Sequence, residues 1–372
     1  MKTLKISAML MAALMLLCGC TYLDYDEYDD YVAPTVQTLA AEYIGGDEEL
    51  YNAIYAHLLE FDTLMEFCGN IEPKEKLRET AQRVLRENPE LFWAYISYTA
   101  YFGDGSHKRL NISPLDQEMP INEVREMCDK VSDAADRIIS EIPDGASDWE
   151  KILFVHDWLI ENTWYQDDDT DEFTDTIYGC LVRGHTQHNG LNQAFQYIMN
   201  RLGYECGAFW NDYQFWNYIR LDGKYYWVDT ACDDAFYGDD DGEKHYSHYY
   251  FMADDEHFKD QHSIEKGSNY FVPTCNSTDN YYYVVDGSYL SSVDDKAIAD
   301  VLRRHKGEKE IEIQFSDDDI YEVAKKEIFG FYSAEQLGVE VPEGKVFICG
   351  SCEGIRIVFF NVGVLNEKRL RR

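Results

Sequence analysis

Apolar positions recur every three to four residues through the first third of the chain. Leu50, Ile54, Leu58 and Phe61 share one helical face behind Asp47, which can cap it. Leu77, Ala81, Val84 and Leu85 give a second stripe, stopped by Asn88-Pro89. Val124, Met127, Cys128, Val131, Ala135, Ile138 and Ile142 line one face of a long helix ending at Pro143. These stripes predict a helical N-terminal region over 36–146. Ser147-Asp148-Trp149-Glu150 is a capping box and opens the next segment. Within it, Ala194, Phe195, Ile198, Met199 and Leu202 predict a central helix that Gly203 ends. Asp222-Gly223 between two aromatic-rich runs predicts a hairpin.

From Asn269 onward the pattern changes again. Tyr281 to Val285 reads as a strand, Asp294 to Arg304 as a helix and Glu310 to Phe315 as a strand. Asp318 to Lys326 then reads as a helix, followed by a C-terminal hairpin. The expected fold class is α+β: a helical N-terminal region, a core over 147–265 with the central helix packed on an antiparallel sheet, and a small α/β appendage over 266–372.

The first 19 residues read as a signal peptide. Lys2 and Lys5 precede an apolar run from Ile6 to Leu17, too short to span a bilayer as an anchor. Leu17-Cys18-Gly19-Cys20 resembles a bacterial lipobox, which implies lipidation of Cys20. Residues 20–35 are acidic and Tyr-rich and read as a disordered tether. The expected location is therefore the extracytoplasmic face of a bacterial cell membrane, held by a lipid anchor. A formal charge of −37 over 372 residues argues against a nucleic acid partner.

Chemistry concentrates between Tyr178 and Asp234. Gly184 and Gly190 bracket a loop that leads through His188 into the central helix. Gln214 stands just before Phe215-Trp216-Asn217, and Asp229 on the following strand. Upstream, Val155-His156-Asp157-Trp158-Leu159 precedes the loop; downstream, Tyr250-Phe251-Met252 is followed by His262. This layout resembles the transglutaminase-like superfamily, the papain-related fold of cysteine proteases and acyl transferases. That family opens the central helix with a Cys, places a His on one strand and an Asp on the next. By the resemblance, His188 stands at the Cys position, Gln214 at the His position, and only Asp229 is kept.

The two exchanges remove the chemistry. Acyl transfer through sulfur needs a thiolate and a neighbouring imidazole to generate it. Gln214 takes up no proton near neutral pH. The resemblance therefore implies an inactive scaffold that binds a peptide, protein or cell-wall polymer. His185, Trp210, Tyr213, Trp216 and Trp158 are the candidate contacts, and His188, Gln214 and Asp229 form the candidate polar pocket. Two alternatives stand beside it. One is an active cysteine peptidase or transamidase with another nucleophile, Cys180 first, while Cys180, Cys206 and Cys232 otherwise read as core thiols. The other is a structural envelope protein. Cys349-Gly350-Ser351-Cys352 reads as a thiol pair or small disulfide at a hairpin tip. His185 and His188 form an H-x-x-H, with His245, His248 and Asp229 as conceivable partners. Spacing indicates only two ligands, so no metal and no other cofactor is expected.

Overall fold

The computed structural model describes residues 41–364, apart from 74, 103–106, 167–170, 212–213, 235–245, 260–261, 265–270, 307, 309, 332–344 and 353–354. The expected signal peptide, Cys20 and the acidic tether lie outside the described residues. The chain divides into two compact units, residues 1–124 and 125–372. Both mix helix and strand, so the fold is α+β.

In the first unit, β1 (Glu42–Ile44) leads into α1 (Asp47–Leu59), then β2 (Leu64–Gly69) and α2 (Lys76–Glu87). Next come β3 (Ala94–Phe102) and β4 (His107–Pro114). The strands form one sheet in the order β1-β2-β4-β3. The two predicted helices are present, but Gly46 rather than Asp47 is the N-cap of α1. A helical region it is not. The sheet hides in the pattern because its buried face carries charge. Glu66 on β2 and Arg109 on β4 are buried and paired side by side, Arg109 Nε lying 2.9 Å from Glu66 Oε1. Lys108 is buried too. Three ionic residues at interior positions erase the alternation by which a strand is recognised.

The long predicted helix is α3 (Ile121–Glu141). The second unit continues with α4 (Asp148–Asn162), opened by the predicted capping box of Ser147 and Glu150. After β5 (Trp164–Tyr165) and a π-turn over Gly179–Arg183 come β6 (His185–Thr186) and α5 (His188–Arg201). Gly203 follows α5 at φ 89°, a left-handed residue suited to ending a helix. Then β7 (Cys206–Trp210), β8 (Phe215–Leu221) and β9 (Lys224–Val228) form an antiparallel sheet. Asp222 and Gly223 join β8 to β9 with φ 51° and 79°, the paired positive angles of a two-residue hairpin turn. The chain passes through α6 (Thr230–Asp234), α7 (Asp255–Phe258) and α8 (Tyr282–Asp286). It closes with β10 (Tyr289–Leu290), α9 (Asp295–Arg304), β11 (Glu310–Phe315), α10 (Asp318–Phe331), β12 (Lys345–Cys352) and β13 (Ile357–Val364).

Two C-terminal expectations are corrected. Tyr281 to Val285 is not a strand: Tyr282–Asp286 is a short helix stopped by Gly287 at φ 76°. Tyr281 and Tyr283 are buried with Phe209, Trp216, Trp227, Tyr249, Tyr250 and Phe258 in one aromatic core, while Val284 and Val285 are exposed. Burying two large rings outweighs the β preference of the run. Cys349 and Cys352 both lie within β12, not at the hairpin tip. Ile355 and Ile357 join the aromatic core, so the expected appendage shares its interior with the β7-β8-β9 sheet.

Candidate functional site

The polar centre of the second unit is built on Asp229, which follows β9 and opens α6. The carboxylate is fully buried and hydrogen-bonded on both oxygens. Oδ1 accepts from Asn192 Nδ2 at 2.9 Å and from the Cys232 amide at 3.0 Å. Oδ2 accepts from His262 Nε2 at 2.8 Å. The second bond to Oδ1 is a helix cap: α6 starts at Thr230, and its third amide donates to the residue before it.

His188 sits at the first position of α5 with Nε2 3.5 Å from Asp229 Oδ1, too long for a good hydrogen bond. The Phe215 carbonyl, which accepts from Asn192 Nδ2 at 2.7 Å, adds to the negative surroundings that favour the protonated ring. The start of α5 is held by a residue the sequence did not point to. Asp175 accepts from the amides of Asn189 and Gly190, at 3.0 and 3.2 Å, and Asn189 Nδ2 bonds its other oxygen at 2.5 Å. Gly190 has no room for a side chain: a Cβ there would lie 2.2 Å from Thr186 Oγ1 and 2.8 Å from the Thr176 carbonyl.

Electrostatics follow from burial and partners. Burial works to raise the Asp229 carboxyl, but His188 and the His262 hydrogen bond outweigh it and hold it well below the usual carboxylate range. Burial works to lower the His188 imidazole, and the Asp229 charge outweighs it, so the ring titrates above its ordinary value. Cys232 lies 3.9 Å from His262 Nε2 through its sulfur. Burial, together with Asp229 and Asp233, pushes its thiol well up.

The expected pocket is therefore only partly assembled. His188 and Asp229 meet. The Gln214 side chain bonds neither of them among the described residues; the Gln214 backbone amide donates to Asn211 Oδ1. His262 takes the place beside Asp229 that the resemblance assigned to the strand before Asn217. Cys232, expected as a core thiol, faces the same centre. Trp216 is fully buried and packs edge-on against His262, 4.8 Å between centroids. Trp210 is buried with Ala208 and Phe215. Neither rims a cleft, because β7 and β8 turn both rings inward. His185 is exposed on β6, and Tyr213 and His245 lie outside the described residues. Cys180 is buried in the π-turn. Trp158 lines a groove of about 560 Å³ with Leu153, Phe154, Asp157 and Glu161, and that lining includes none of His188, Asp229 or Cys232.

A second cluster lies among α4, α6 and β11. His156 bonds Asp157 at 2.9 Å through Nδ1 and Asp233 at 3.2 Å through Nε2. His248 bonds the same Asp157 oxygen at 3.0 Å, faces Glu312 at 3.7 Å, and stacks on Tyr282 at 3.8 Å. Burial opposes protonation of His248, but Asp157 and Glu312 outweigh it and lift the ring to about 10. All four ring nitrogens face carboxylates, so this cluster is a charge-paired part of the interior.

No family model matches the chain, and no curated protein matches it. Among solved structures, one described as a crystal structure of a TGase overlaps 59% of this chain and 64% of its own, at 11% identity and a TM-score of 0.27. That overlap is too loose to assign the chain to a fold family.

Proposed function

We propose that this chain is a transglutaminase-like protein without acyl-transfer chemistry, acting by binding a peptide, protein or wall polymer at a bacterial cell surface. The observation that carries the reading is the way Asp229 shares His262. A working triad turns one imidazole nitrogen to the nucleophile and the other to the orienting carboxylate. Here a single nitrogen, His262 Nε2, faces both Cys232 Sγ at 3.9 Å and Asp229 Oδ2 at 2.8 Å, while Nδ1 is buried without a partner among the described residues. Asp229 at the thiol's side disfavours the thiolate that attack requires. At the position opening α5, His188 brings no sulfur. The surface location is supported by the apolar run from Ile6 to Leu17 and by Leu17-Cys18-Gly19-Cys20.

The test is incubation with glutamine- and lysine-bearing peptides, with amine incorporation and cleavage followed by mass spectrometry. No turnover is expected. Turnover abolished by iodoacetamide and by Cys232→Ser would replace this reading with the enzymatic one, with Cys232 as nucleophile.

A further inference from the structure

The group around Asp229 has an arrangement that a purely structural polar centre does not need. The His188 Nε2, an Asp229 carboxylate oxygen and the Cys232 Sγ all lie within 4.8 Å of one another. His188 Nε2 is buried and makes no hydrogen bond among the described residues. We propose that His188, Asp229 and Cys232 are a binding site for a zinc-class divalent ion. The inference goes beyond the binding role above and does not depend on it.

Three features carry it. The first is donor chemistry. One imidazole, one carboxylate and one thiol is a nitrogen, oxygen and sulfur set of the kind zinc takes, whereas calcium and magnesium take oxygen alone. The second is spacing. Two zinc bonds of about 2.0 Å meeting near a tetrahedral angle leave their donors about 3.3–3.5 Å apart. His188 Nε2 and Asp229 Oδ1 stand 3.5 Å apart.

The third is the shell behind the donors. Asp229 is fixed by Asn192 and the Cys232 amide on Oδ1 and by His262 on Oδ2. Carboxylate ligands of metals are ordinarily held from behind in this way. His262 is a positioning residue in this arrangement, because its Nε2 is committed to the carboxylate. Three protein donors leave a tetrahedral ion one position short, which water or a ligand atom would fill. The cluster of His156, Asp157 and His248 also groups three donors, but its ring nitrogens are already turned to carboxylates, so it does not compete.

Cobalt(II) titration of the full chain tests the site, since a thiolate on cobalt gives a charge-transfer absorption that carboxylates and imidazoles alone do not. The expected result is a single equivalent of Co²⁺ with that absorption, displaced by Zn²⁺. Cys232→Ser should remove the absorption. His188→Gln, at a position one-third exposed and so less prone to misfold, should weaken binding at least about tenfold. His185→Gln should change nothing. The proposal is overturned if the wild-type chain shows no such absorption, if the absorption survives in Cys232→Ser, or if folded His188→Gln binds as tightly as wild type.

Discussion

Replacing His248 by Phe separates the charge of that ring from its shape. The phenyl keeps the stacking partner of Tyr282, which His248 meets at 3.8 Å with planes 7° apart. What disappears is the cation between Asp157, at 3.0 Å, and Glu312, at 3.7 Å. A shift from 6.5 to about 10 caps the imidazolium's contribution at ~5 kcal/mol. Asp157 is 27% exposed, so water takes over part of its solvation once the partner is gone. The expected loss is therefore about 3 kcal/mol near pH 6, the low end for breaking a buried pair. The folded value lies above the unfolded one, so this stability is complete below about pH 6.5 and drains as pH rises toward about 10. The gap between wild type and His248→Phe should then shrink to about 1 kcal/mol at pH 9. Urea unfolding followed by tryptophan fluorescence at both pH values measures it, with the slope checked for constancy. A gap that is absent at pH 6, or of equal size at pH 6 and pH 9, refutes the reasoning.

Three further outcomes are expected. Gly190→Ala should destabilise by about 1–3 kcal/mol, because its methyl would meet the Thr176 carbonyl, which cannot swing away as a side chain can; an unchanged urea midpoint would contradict this. His188→Cys should give a thiol ionising above ~8.5, because the buried Asp229 charge beside it outweighs a helix dipole worth ~0.3–1 kcal/mol; the pH dependence of alkylation reads this, and a midpoint below ~8.5 contradicts it. Cys20→Ser should release the protein from the membrane fraction or leave it unprocessed, and unchanged fractionation would remove the lipid-anchor reading.

What could be read along the chain was whatever is encoded locally. The capping box at Ser147, the hairpin turn at Asp222-Gly223 and the helix stop at Gly203 each depend on residues within a few positions, and each is present. Failures came where distant residues decide. Glu66 and Arg109 spoil the alternation of β2 and β4 because each pays its burial through a partner 43 positions away. Tyr281 and Tyr283 turn a β-prone run into a helix because the aromatic core behind them has room for two rings.

The candidate site divides along the same line. His188 and Asp229 could be named from a resemblance in order and spacing, and they do meet. Which nitrogen of which histidine reaches the second carboxylate oxygen is set by where α7 delivers His262, 33 positions beyond Asp229. Cys232 could have been suspected on local grounds alone. A helix beginning at Thr230 brings the amide of the residue three beyond Asp229 to the capping carboxylate, and the thiol of that residue stands 3.9 Å from His262 Nε2. Gln214 is instead taken up locally, its backbone amide and carbonyl both bonded to Asn211, and among the described residues it bonds neither His188 nor Asp229.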